Sequence, residues 1–160
     1  MSRRMRKSIE KKLRKAKRVL VEISIDEQKL VLCDKLSEYK SAAKALRPAL
    51  REYEAANKAY VKKQSAKNEL RRENARDARY TCALNYKNVC DGIFASLDKI
   101  DSLFAELGQY VPTKKYNKLS LRREKEKERY LSKMAKIEDT VNDKIDVEAV
   151  VGRRNGGKKD

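Results

Sequence analysis

A 160-residue chain with 41% charged and 6% aromatic residues and no Trp has too little bulky apolar material for a wide core, but enough for narrow helical seams. Its 41 Lys and Arg against 24 Asp and Glu leave a net charge of +17, and it contains no His. The commonest general base and transition-metal ligand are therefore missing, which argues against an enzyme and against a metal or cofactor site.

The charge falls in bands: +9 over 1–18, −1 over 19–57, +5 over 58–79, −2 over 80–113, +5 over 114–132, −2 over 133–151 and +3 over 152–160. A solvated helix face normally mixes both signs, whereas bands of one sign repel themselves unless something anionic neutralises them. Cys33, Cys82 and Cys90 are odd in number and have no CxxC spacing, which points to a reducing compartment and to a reading of Cys82 and Cys90 as seam residues. No apolar run approaches the roughly 20 residues of a membrane span. Glu22 interrupts "VLVEISI", the one stretch resembling a secretory signal. Residues 1–21 share the basic, nearly acid-free character of a mitochondrial presequence, but they are Lys-rich and Ser-poor.

In chain order, Met5, Ile9, Leu13, Ala16, Leu20 and Ile23 step by three and four, predicting a basic amphipathic helix or arm over 1–23. Val19, Val21, Ile23 and Ile25 also alternate, as do Ile145, Val147, Ala149 and Val151, leaving open a small two-stranded ribbon. "SIDE" at 24–27 reads as a capping box opening a helix. From there Leu32, Leu36, Tyr39, Ala43, Leu46, Leu50, Tyr53, Asn57 and Tyr60 keep coiled-coil spacing, with Asn57 the polar intruder. Pro48 predicts a kink or break near 44–48. A second seam runs Tyr86, Cys90, Ile93, Leu97, Ile100, Phe104 and Leu107, closed by Gly108 and Pro112.

Folding the seams 32–60 and 86–107 together gives an antiparallel hairpin over 24–107. Residues 62–79 then either continue as helix or reverse near Ser65–Asn68. A further helix is expected within 113–151, with Leu131, Met134, Ile137 or Glu138, Val141 and Ile145 inward, followed by a flexible basic tail at 152–160. The expected class is all-α: a bundle of three to four helices, elongated and coiled-coil-like.

Three basic clusters carry the functional expectation. The first holds Arg3, Arg4, Arg6, Lys7, Lys11, Lys12, Arg14, Lys15, Lys17 and Arg18. In the second, Lys62, Lys63, Lys67 and Arg71 accompany Arg72, Arg76 and Arg79, whose spacing makes one helical stripe. The third holds Lys114, Lys115, Lys118, Arg122 and Arg123, and the tail adds Arg153, Arg154, Lys158 and Lys159. Roughly six to ten such contacts suffice for salt-sensitive binding to a phosphate backbone, DNA or RNA, without base reading.

Tyr60, Tyr80, Tyr110, Tyr116 and Tyr130 border the clusters, where they either stack on bases or pack at seam edges. No zinc finger, RNP aromatic signature or GxxG loop accompanies them. Leu36, Leu46, Leu50, Asn57, Ile93, Leu97, Ile100 and Phe104 are the expected seam for self-assembly into a homo-oligomer or larger complex. Two alternatives remain: a scaffold lying on anionic membrane through 1–23, and an adaptor for acidic proteins.

Overall fold

The computed structural model describes residues 1–141, 147, 150 and 151. Among the described residues the fold is all-α, with α1 at Arg3–Lys62, α2 at Ala66–Leu107 and α3 at Thr113–Asp139. The all-α class follows from the three- and four-residue periodicity and the shortage of Gly and Pro inside the helical stretches.

Several local expectations are corrected. Residues 19–25 are helical, as are Val147, Val150 and Val151, so the strand alternation is not realised among the described residues. A two-stranded ribbon buries little, whereas helix 19–25 seats Val21 and Ile25 against Leu107 and Val111. Ser24 does not open a helix. α1 runs through it, and its hydroxyl donates to the Leu20 carbonyl one turn back (3.1 Å). The helix also continues through Pro48. Pro48 and Lys44 are exposed, so the Lys44 carbonyl that loses its donor lies on the water side of the helix. The tail 152–160 lies outside the described residues.

The helix ends are capped by particular groups. Ser2 accepts from the Met5 amide (3.1 Å) at the start of α1. Between α1 and α2, residues 63–65 reverse the chain. There Ser65 accepts from the Asn68 amide (3.1 Å), while the Asn68 side chain donates to the Lys63 carbonyl (2.9 Å) and the Ala59 carbonyl (3.3 Å) left over at the end of α1. Gly108 follows the last residue of α2. A Cβ there would meet the Tyr116 ring at 3.1 Å, tighter than ordinary van der Waals contact, so a larger residue makes that ring shift.

The chain forms two compact units, one of Met1–Asp34 with Ile93–Leu131 and the other of Lys35–Gly92 with Ser132–Asp160. In the first, Val21, Ile25, Leu107 and Val111 form the core, with Phe104 stacked on Tyr116 at 5.2 Å between centroids. Arg123 is almost enclosed against Phe104 and pairs with Asp101, which also takes Lys127 at 3.5 Å. Tyr130 donates to the Leu32 carbonyl (2.8 Å).

In the second unit α1 and α2 pack antiparallel through Ala42, Ala43, Ala56, Ala75 and Ala83, all buried, with Leu46, Leu50 and Met134 beside them. The small side chains let the backbones approach closely. Tyr39 is 1% exposed. It stacks on Tyr86 (4.7 Å between centroids), its hydroxyl lies 2.6 Å from that of Tyr86, and it donates to Glu138 of α3 (2.9 Å). Three helices therefore meet at one polar point.

Burial, then the neighbouring Cys33, pushes Tyr130 up to about 12 from 10.0. Burial, then the bonds to Tyr86 and Glu138, raises Tyr39 as well. Both phenols keep their protons in the folded chain at pH values where the unfolded chain loses them. Their stabilising contribution is full below about pH 10 and is lost as pH rises through the folded values. Denaturant unfolding followed by circular dichroism is expected to show stability falling between about pH 10 and 12, with a shallower fall for Tyr39→Phe and Tyr130→Phe.

Candidate functional site

Cationic side chains divide into those the fold uses and those it leaves in solvent. In the hairpin of the second unit, the expected phosphate stripe is used by the fold. Arg72 lies over the Tyr60 ring and Arg79 over the Tyr53 ring, each 3.7 Å from the centroid. Arg76, like them, is half-buried. Arg71 makes a two-pronged contact with Glu52 (2.8 and 3.3 Å), which raises the arginine and lowers the carboxyl. The stripe faces α1 because α2 folds back on it, and a planar guanidinium covers a tyrosine face better than water does. Lys62, Lys63 and Lys67 stay exposed around the reversal. In the first unit, Arg123 is likewise held by Asp101, Glu124 and Phe104.

The opposite condition holds at the start of α1. Residues 1–17 are exposed throughout. Among the described residues, Arg6 pairs with Glu10 (3.2 Å) and Arg18 with Glu22 (2.9 Å), while Arg3, Arg4, Lys7, Lys11, Lys12, Lys15 and Lys17 make no ion pair. Arg14 donates to the Gln109 carbonyl (2.8 Å) in the turn before α3. Arg3, Lys7, Lys11 and Lys15 are spaced four apart, so each successive pair costs about 0.2–0.5 kcal/mol by repulsion. Neither α1 nor α3 has an acidic residue in its first turn, so the positive end of each helix dipole adds to these side chains instead of being offset. On α3, Lys114, Lys115, Lys118 and Arg122 are exposed.

The apolar stripe of α1 is not part of the core. Met5, Leu13 and Leu20 are 57, 56 and 63% exposed, and Ile9 and Ile23 are exposed as well. At about 100° per residue the stripe lies about 150° around the helix from Val21 and Ile25, the residues that do pack. Of the free cations, Arg3, Arg4, Lys7 and Lys11 lie about 125–165° from it and Lys15 about 115°, while Lys17 and Lys12 flank it at about 85° and 55°.

The expected self-assembly seam is largely occupied within the chain. Leu46, Leu50, Ile93, Leu97 and Ile100 are buried, while Leu36 and Phe104 are half-buried. Asn57 is exposed and Ala56 takes the inward position at 0% exposure. An alanine lets the helices close up without stranding an amide in the core.

A third basic surface was not visible in the sequence. In the second unit, Lys40, Lys44 and Arg47 of α1 and Lys133 and Lys136 of α3 line one groove. They fall in segments of net charge −1 and −2, so averaging along the chain hid them. The four- and three-residue step of Lys40, Lys44 and Arg47 was the available signal.

Among the described residues no helix is long and apolar enough to cross a membrane, and no group of three or more potential metal ligands occurs. The three cysteines are free, and burial pushes the Cys90 thiol up. No protein-family model, curated protein or solved structure matches the chain.

The division between used and free cations is testable by stability alone. Arg72→Ala or Arg79→Ala is expected to lower unfolding free energy by about 1 kcal/mol through the lost ring contact. Lys62→Ala or Lys63→Ala should stay within about 0.5 kcal/mol of the parent in urea titrations.

Proposed function

We propose that the protein is a non-catalytic nucleic-acid-binding protein that holds the phosphate backbone with the first turns of α1 and α3. The carrying observation is the row Arg3, Lys7, Lys11 and Lys15, exposed, four residues apart and without a carboxylate partner among the described residues. A row of like charges at helix spacing is unfavourable in the free chain and becomes favourable when phosphates displace their counterions. Contacts of this kind position a backbone and carry no base information. Tyr60 lies under Arg72 and Tyr116 against Phe104, so those two faces are already occupied.

Binding to duplex and single-stranded oligonucleotides, followed by fluorescence anisotropy over a salt series, is expected to weaken linearly on logarithmic axes. Replacing Arg3, Lys7, Lys11 and Lys15 by Gln should flatten the slope by about 3 units. An unchanged slope in that variant removes the proposal.

The exposed stripe Met5, Ile9, Leu13, Leu20 and Ile23 supports a second reading, a helix lying on anionic lipid. Against it, the stripe carries no aromatic anchor, and most of the cations sit on the far side of the helix, turned away from the headgroups when the stripe faces lipid. Flotation with anionic vesicles separates the readings. On the nucleic-acid reading, Leu13→Ser with Leu20→Ser leaves oligonucleotide affinity unchanged. On the membrane reading, the same change abolishes flotation.

A further inference from the structure

We infer that the groove between α1 and α3 in the second unit binds a compact, multiply phosphorylated anion. Five cations line it, Lys40, Lys44 and Arg47 from α1 and Lys133 and Lys136 from α3, around a volume of about 620 Å³. Among the described residues the lining contains no Asp or Glu. Among the described residues, none of the five makes an ion pair, whereas Lys58, Arg71 and Lys87 of the same unit do and Arg51 and Lys35 do not. Glu138, adjacent in sequence, is directed to Tyr39 instead.

Charge on both walls selects the ligand. Lys40, Lys44 and Arg47 occupy one stripe about 10 Å long, and Lys133 and Lys136 project from the facing helix, one turn apart. A flat row would suit a duplex backbone, whereas two facing rows enclose an anion that enters between them. No aromatic residue lines the groove, so a single strand would find nothing on which to stack its bases. Several phosphates on a small framework meet five cations at once without that requirement. Leu36 and Ile137 give the groove an apolar floor, against which a ring or short carbon framework can rest. The chemistry is shared by soluble inositol polyphosphates and by the headgroups of phosphoinositide lipids. The inference is independent of the nucleic-acid reading, which uses side chains of the other unit.

The test is titration calorimetry of the full chain with inositol hexakisphosphate near physiological salt. Saturable one-to-one binding is expected. Affinity should be about tenfold weaker or worse in Lys40→Gln/Lys44→Gln and, separately, in Lys133→Gln/Lys136→Gln, one variant for each wall. All four positions are exposed, so circular dichroism should show unchanged helicity. The variant lacking Arg3, Lys7, Lys11 and Lys15 should bind inositol hexakisphosphate as the parent does, which keeps the two proposals apart.

Flotation with vesicles containing phosphatidylinositol bisphosphate, lost in both groove variants, assigns the lipid source. Binding of the soluble anion without flotation assigns the free one. Absence of saturable binding to either probe, or equal affinity in parent and groove variants, overturns the inference. So does a groove-dependent loss seen with oligonucleotides alone.

Discussion

With 41 cations and 24 carboxylates in the chain, the placing of the acids decides which positive charges remain available. Glu52 holds Arg71, Glu126 holds Lys29 (3.1 Å), and Asp101 holds both Arg123 and Lys127. These acids join segments distant in sequence, where a helix-helix contact would otherwise press unpaired cations together. Tyrosine faces take guanidinium groups as well: Arg72 and Arg79 are settled on Tyr60 and Tyr53. Exposed ion pairs contribute little individually. Their effect here is distributional, because neutralisation at the contacts leaves the first turns of α1 with Glu10 as the one carboxylate, paired to Arg6, and the α1–α3 groove without counter-charge from the described residues.

The same economy shapes the core. Small side chains dominate where α1 and α2 run antiparallel, and the few large groups sit where three helices converge, as Tyr39 and Tyr86 do with Glu138. Tyr39 offers an aromatic face to Tyr86 and a hydroxyl to a carboxylate, so one residue supplies both packing and direction. In the other unit Phe104, Tyr116 and Arg123 play the corresponding part, with the space at Gly108 admitting the Tyr116 ring.

Much of the helical fold could be read from the sequence, because the seam residues of α2 from Ile93 to Leu107 keep strict helical spacing and the structure turns them inward. The boundaries within α1 were less legible. Ser24 and Pro48 carry local signals for a start and a stop, yet both are overridden once apolar contacts lie on either side of them. Asn57 looked like a seam residue because spacing alone cannot distinguish it from Ala56, one position away. The arginine stripe of α2 misled for a related reason: spacing places Arg72 and Arg79 on one face without saying whether that face meets water or α1. The groove cations were hidden because charge summed along the chain is blind to residues far apart in sequence that share a wall in space.

The groove and the α1–α2 contact also draw on different cations. Those locked into packing are mostly arginines (Arg71, Arg72, Arg79 and Arg123), whereas the groove and the reversal at 63–65 are lined mainly by lysines. Acetylation discharges an ammonium group and leaves a guanidinium untouched. Acetylation of these lysines would discharge the reversal and leave the groove with Arg47 alone, while the arginine contacts between α1 and α2 stay intact. The bundle and its electrostatic reach thus rest on different chemical groups.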